Sequence, residues 1–180
     1  LKVHELPDAG RTAKGVPVVN LINIQPDETV TTMLRVKDFT SATHLFFTKR
    51  LGRVKRTSLD QFQSVRSSGL IAIGLDDGDE LAWVRMTTGD SEIVLITEQG
   101  QAIRFKESDV RAMGRPAAGV IGIRLAPNDR VIASEATIDD HELFIVSAKG
   151  LGKKSKIDQY RLTGRGGKGV TAMKLTKRTG

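Results

Sequence analysis

Gly119-Val120-Ile121-Gly122-Ile123-Arg124-Leu125 is one copy of a pattern that returns along the chain. A glycine opens it, an apolar β-rich run follows, and a leucine stands six residues after the glycine. The same pair recurs as Gly15 with Leu21, Gly69 with Leu75, and Gly169 with Leu175. The last two intervals between glycines are fifty residues and the first is fifty-four. A period of about 40–50 residues in a strand-rich chain predicts a propeller-like array of repeated units rather than an ordinary globule.

Around each glycine the rest of a unit can be laid out. Hairpin signals run from Phe47-Thr48 to Gly52, from Ile96-Thr97 to Gly100 and from Val146-Ser147 to Gly150, each an apolar strand entering a polar turn. Ten residues past the turn glycines stand Phe62, Val110 and Tyr160, the last two preceded by polar stretches such as Lys106-Glu107-Ser108-Asp109, which suit a single helical turn. The post-glycine runs are Gly69-Leu70-Ile71-Ala72-Ile73, Gly119-Val120-Ile121-Gly122-Ile123 and Gly169-Val170-Thr171-Ala172-Met173. Asp79 and Asp129 then mark turns, and strands are predicted at 81–86 and 131–134. Four short strands per fifty residues is the content of one propeller-type blade.

The predicted fold is all-β, an open array of about four four-stranded blades in one repeat domain spanning 1–180. A partial blade covers 1–43, with 1–6 expected as the second strand of a hairpin, and blade units follow at about 44–92, 93–140 and 141–180. Residue 1 is leucine and the pattern starts and stops mid-repeat, so the chain is expected to be a piece of a longer polypeptide. Open edges at both ends favour self-association.

Composition bounds the chemistry. The 180 residues carry 28 Lys+Arg against 21 Asp+Glu, a net charge of +7. A surplus of that size points to an anionic partner, nucleic acid first, or to a solvated basic surface. No cysteine is present, which excludes disulfides and thiolate chemistry and suits a cytoplasmic setting. No apolar run approaches the roughly 18–20 residues of a membrane span.

Catalytic constellations are absent from the pattern. His4, His44 and His141 are far apart and lack metal-ligand spacing. His141 with Asp139, Asp140 and Glu142 reads as a polar turn rather than a metal cluster. The stretch Ala148-Lys149-Gly150-Leu151-Gly152-Lys153-Lys154-Ser155 half resembles a phosphate-binding loop but lacks its first glycine and sits in a hairpin. Tyr160 and Trp83 read as core. No catalytic residue, metal site or cofactor is expected in this chain.

Basic residues keep the repeat's register. Arg11, Arg115 and Arg165 stand four residues before their glycines, with Arg66 close to that place in the second unit. Lys14 and Lys168 immediately precede theirs, and Arg56, Arg104 and Lys154 lie four residues past the hairpin glycines, with Lys55 and Lys153 adjoining. Cations repeated on a circular array would join into a curved basic track, suited to the evenly spaced phosphates of a duplex. Aromatics are only 4%, which disfavours stacking platforms for single strands.

At these residues the chain resembles the C-terminal domain of the A subunit of bacterial DNA gyrase. The stretch 94–125, including Glu98-Gln99-Gly100, Arg104-Phe105-Lys106-Glu107-Ser108 and Gly119–Leu125, is similar to that family's wording, as are 5–9, 15–21 and Asp77-Gly78-Asp79-Glu80-Leu81. The resemblance covers essentially the whole chain. It implies a β-pinwheel whose blades exchange strands and whose basic rim wraps duplex DNA, supporting negative supercoiling by a type II topoisomerase. It further implies that the cleavage tyrosine and ATPase lie elsewhere, that the partners are DNA, the rest of gyrase A, and gyrase B, and that the setting is the bacterial nucleoid. The family's hallmark Gln-Arg-Arg-Gly-Gly-Lys/Arg-Gly box belongs to a first blade; Thr163-Gly164-Arg165-Gly166-Gly167-Lys168-Gly169 matches five of its seven positions, and the first and last blades are expected to be missing. The related chain of topoisomerase IV is an alternative, and a propeller scaffold for a protein partner is a reading of a different class.

Overall fold

The computed structural model describes residues 1–25, 28–39, 43–64, 68–137 and 141–180. Among these residues the chain forms ten strands and five short 3₁₀ turns, with no α-helix. One unit holds β1 (His44–Lys49), β2 (Arg53–Ser58) and β3 (Leu81–Thr87). The next holds β4 (Glu92–Thr97), β5 (Gln101–Lys106), β6 (Val120–Ile121) and β7 (Val131–Thr137). The last holds β8 (Glu142–Val146), β9 (Gly152–Lys156) and β10 (Val170–Thr171). No helix among the described residues is long and apolar enough to cross a membrane.

Each four-stranded sheet is completed by its neighbour. The first sheet runs β3-β1-β2-β6 and the second β10-β5-β4-β7, all pairs antiparallel. Thus β6, which follows Gly119, leaves its own unit to pair with β2, and β10, which follows Gly169, pairs with β5. The glycine beat therefore marks where one unit reaches into the one before it. Isolated parallel bridges, Arg56 to Ala112 and Arg104 to Leu162, repeat the same handover.

The central strand β4 explains why the sheets stack. Residues 93–97 are all buried because successive side chains enter different cores. Ile93 and Leu95 join Phe46, Val54, Ile103, Phe105, Val110, Ile123 and Val131 between the first and second sheets. Val94 and Ile96 join Ala102, Ile157, Tyr160 and Ala172 between the second sheet and the last hairpin. Tyr160 is 3% exposed, a core residue as the repeat register implies, while Trp83 is half-buried and packs against the first cluster.

The two expected fourth strands, at 81–86 and 131–134, are present as β3 and β7. The partial blade differs from expectation. Residues 1–6 are not strand; Val3–Glu5 is a 3₁₀ turn. It occupies the register of Glu107–Asp109, the turn that follows a hairpin rather than its second strand. Val18–Asn20 is a second such turn, and no described residue of 1–43 is in a strand. The run after Gly69 is not a strand either. Its counterparts β6 and β10 each pair with a hairpin strand of the preceding unit. Among the described residues the sheets are two of four strands and one hairpin. Hairpin β8-β9 is a two-stranded sheet among the described residues.

Candidate nucleic-acid interface

The structure divides the registered cations into those committed to the fold and those offered to solvent. Lys55 is fully buried, its ammonium donating to the carbonyls of Ala72 (2.6 Å) and Arg115 and lying 5.2 Å from the centre of the Phe47 ring. By cross-strand register it takes the place of Ile103, a core residue one unit later. Burial, with smaller contributions from Lys49 and Arg115, pushes its pKa down to about 8. Lys55, expected on the basic track, is thus turned into the interior and held by backbone carbonyls.

Arg104 is withdrawn likewise, at 8% exposure. Its guanidinium bonds Glu92 on the facing strand (Nε to Oε2, 2.5 Å) and donates to the carbonyls of Ile157 (3.0 Å) and Tyr160 (3.2 Å) in the next unit. Arg56, its equivalent one unit earlier, is half-buried; it lies 3.8 Å from the buried carboxylate of Glu107 in the next unit and donates to the Gly89 carbonyl. Glu107 also accepts hydrogen bonds from the Thr87 hydroxyl and the Gly89 and Ser91 amides. Arg56 and Arg104, both expected on the basic track, make contacts that link neighbouring units.

Lys153 and Lys154 are exposed but engaged. Lys153 donates to the Ala172 carbonyl at 3.0 Å, repeating the Lys55–Ala72 bond two units on. Lys154 pairs with Glu142, repeating Arg104 with Glu92. Arg165 is exposed while its guanidinium donates to the carbonyls of Asp109 and Ile121, both at 3.0 Å.

Arg11, Lys14 and Lys168 are exposed and Arg115 is half-buried; none of the four is in an ion pair among the described residues. Arg66 lies outside the described residues, as do Asp139 and Asp140 of the acidic group near His141. Of the repeat glycines, Gly119 and Gly169 press against the preceding sheet, while Gly15 and Gly69 stand in open space. Lys168 and Arg161 border a groove of about 230 Å³ floored by Gly164, Gly167 and Gly169. Side-chain-free backbone of this kind lets an anion come close.

Sequence reasoning passed over three further pairs. Lys106 and Lys156, Arg111 and Arg161, and Arg124 and Lys174 are each fifty residues apart, and all six are exposed. None of the six is in an ion pair among the described residues. The fifty-residue register contained them, but they stand away from the glycines that made the other cations conspicuous.

Comparison with known proteins agrees with this architecture. A family model described as "DNA gyrase C-terminal domain, beta-propeller" matches residues 1–37, 45–88, 91–137 and 141–178. The DNA gyrase A subunit of Halalkalibacterium halodurans is 50% identical over 117 residues, covering 65% of this chain and 14% of that protein. The DNA gyrase A subunit of Escherichia coli is 45% identical over 114 residues, covering 63% of this chain and 13% of that protein. The chain therefore spans about one seventh of the curated relatives it matches. Among solved structures, the C-terminal domain of DNA topoisomerase IV superposes with a TM-score of 0.90 at 32% identity, over 97% of this chain and 55% of that one. A DNA gyrase A C-terminal domain superposes with a TM-score of 0.82 at 28% identity, over 93% and 56% respectively.

Proposed function

This chain belongs to the DNA gyrase C-terminal domain family, and on that footing we propose that it binds duplex DNA and wraps it for a type II topoisomerase. The observation that carries the proposal is the surplus of exposed cations without ion pairs among the described residues of a repetitive all-β stack, Arg11, Lys14, Arg161 and Lys168 among them. Such cations exchange condensed counterions for contacts with phosphates, which gives affinity without reading sequence. Smooth bending of a short site costs on the order of 1–6 kcal/mol, which added phosphate contacts offset. Chemistry resides elsewhere in the enzyme. The remainder of gyrase A, and gyrase B, are its partners, in the bacterial cytoplasm on the nucleoid.

Superposition on the topoisomerase IV domain over nearly the whole chain favours a second reading, the corresponding domain of that enzyme. Both readings share duplex binding. A topology assay tests the wrap: closed circular DNA is relaxed with the chain bound, then deproteinised. Wrapping leaves a linking-number change of one sign that grows with bound protein. Binding with no change in linking number would overturn wrapping, and a chain that binds a protein partner but no duplex would overturn the proposal.

A further inference from the structure

The surplus of positive charge in this chain is confined to its last unit. Residues 141–180 carry ten Lys/Arg against two acids, whereas 93–140 carry six against seven, 44–92 seven against seven, and 1–43 five against five. The whole surplus of +7 thus belongs to the last unit.

Ion pairing sharpens the contrast. Among the described residues of 44–137, seven cations sit in ion pairs, including Lys49 with Asp76, Arg85 with Glu135 and Arg104 with Glu92. In 141–180 only Lys154 pairs with an acid among the described residues, Glu142. Exposed charge is screened beyond about 8 Å at physiological salt, so a duplex on one unit gains little from cations on another.

Resting on the DNA reading above, we infer that the grip is polarised: the duplex is held by the 141–180 unit and crosses the neutral units with few contacts of its own. The holding surface is the exposed set Lys156, Arg161, Lys168 and Lys174. Arg161 and Lys168 both line one groove, together with Arg104, Gly164, Gly167 and Gly169. The track is therefore not a uniform rim. Cations at the same height one unit earlier stand on a unit whose acids match them in number.

The repeat supplies its own control. Lys156, Arg161 and Lys174 have register equivalents in Lys106, Arg111 and Arg124, likewise exposed and without ion pairs among the described residues. Two triple variants of the 180-residue chain, Lys156→Gln/Arg161→Gln/Lys174→Gln and Lys106→Gln/Arg111→Gln/Arg124→Gln, remove the same charge from different units. Their affinities for a labelled random-sequence duplex are compared by fluorescence anisotropy at one fixed salt concentration.

The first variant is expected to weaken binding by about tenfold and the second by less than about threefold. Equal weakening, or the reverse order, would overturn the polarised grip while leaving duplex binding intact. Failure of the parent chain to bind at low salt would overturn the DNA reading itself. If the first variant melts at the assay temperature, Arg161→Gln against Arg111→Gln gives the same comparison. A larger loss for Arg161→Gln supports the inference, and equal losses overturn it.

Discussion

Gly119 lies so close to the backbone of Val54 that a β-carbon there would stand 2.4 Å from the Val54 carbonyl oxygen, at a φ of +90°. Gly169 repeats the relationship against Ala102, at 2.5 Å and +81°. Gly15 and Gly69 share the positive φ but meet nothing within 4 Å. The four glycines are thus equal in backbone and unequal in packing.

Alanine at each position should separate those terms. Left-handed backbone costs a β-carbon roughly 1–2 kcal/mol, and overpacking adds about 1–3 kcal/mol. Gly119→Ala and Gly169→Ala are expected to lose both, and Gly69→Ala and Gly15→Ala only the first. Urea denaturation measures the difference; equal losses at Gly119 and Gly69 would contradict the strand handover as the reason for the glycine.

Arg104 should behave as a structural residue. Arg104→Ala leaves Glu92 unpaired and frees the carbonyls of Ile157 and Tyr160, and is expected to cost about 3–5 kcal/mol of stability. Arg104→Lys should recover only part of it, because one ammonium cannot span these acceptors as a guanidinium does. Lys168→Ala is expected to leave the melting curve unchanged and weaken duplex binding. An Arg104 variant with parental stability would contradict this division.

Lys55 gives the fold a pH signature. Between its folded pKa of about 8 and the ordinary lysine value of 10.5, the unfolded chain holds a proton that the folded chain has released. Stability contributed by this group therefore rises with pH through that window, by about 1.4 kcal/mol per pH unit and roughly 3 kcal/mol in all. Below about pH 8 the full cost of the buried charge is present. Lys55→Met should remove the rise, seen as a parent-minus-variant difference in urea midpoints from pH 7 to 10.5. A difference that does not vary with pH would show that Lys55 titrates normally.

Hairpin β8-β9 carries exposed apolar residues on β8, Phe144 at 66% and Val146 at 51%, and β8 is paired on one side only among the described residues. Edges of this kind pair with other chains. Sedimentation is expected to show self-association that grows with concentration and falls in Phe144→Lys. A strict monomer at high concentration would contradict it.

Much of the fold was legible because a repeat writes its pattern several times. The hairpins closing at Gly52, Gly100 and Gly150, the core places of Val110 and Tyr160, and strands β3 and β7 follow from superimposing the units. Pairing partners were not legible. The post-Gly69 run has the same apolar composition as those after Gly119 and Gly169, but strand state depends on a neighbour to bond with, and composition carries no record of it.

The candidate site was harder to read for a related reason. Recurrence in register marks any role performed in every unit. Lys55 and Lys153 recur because each bonds the carbonyl three residues past a repeat glycine, at Ala72 and Ala172. Arg56 and Arg104 recur because each bridges to the next unit. Burial and bonding partners, which only folding reveals, separate these from Lys168, Arg161 and Lys174.

The central claim is duplex binding through phosphate contacts. Its most direct test is the salt dependence of the chain's affinity for unrelated duplexes. With about six phosphates neutralised, log K is expected to fall with log[salt] at a slope near −5, alike for every sequence. A flat response, or affinity confined to one sequence, would contradict it.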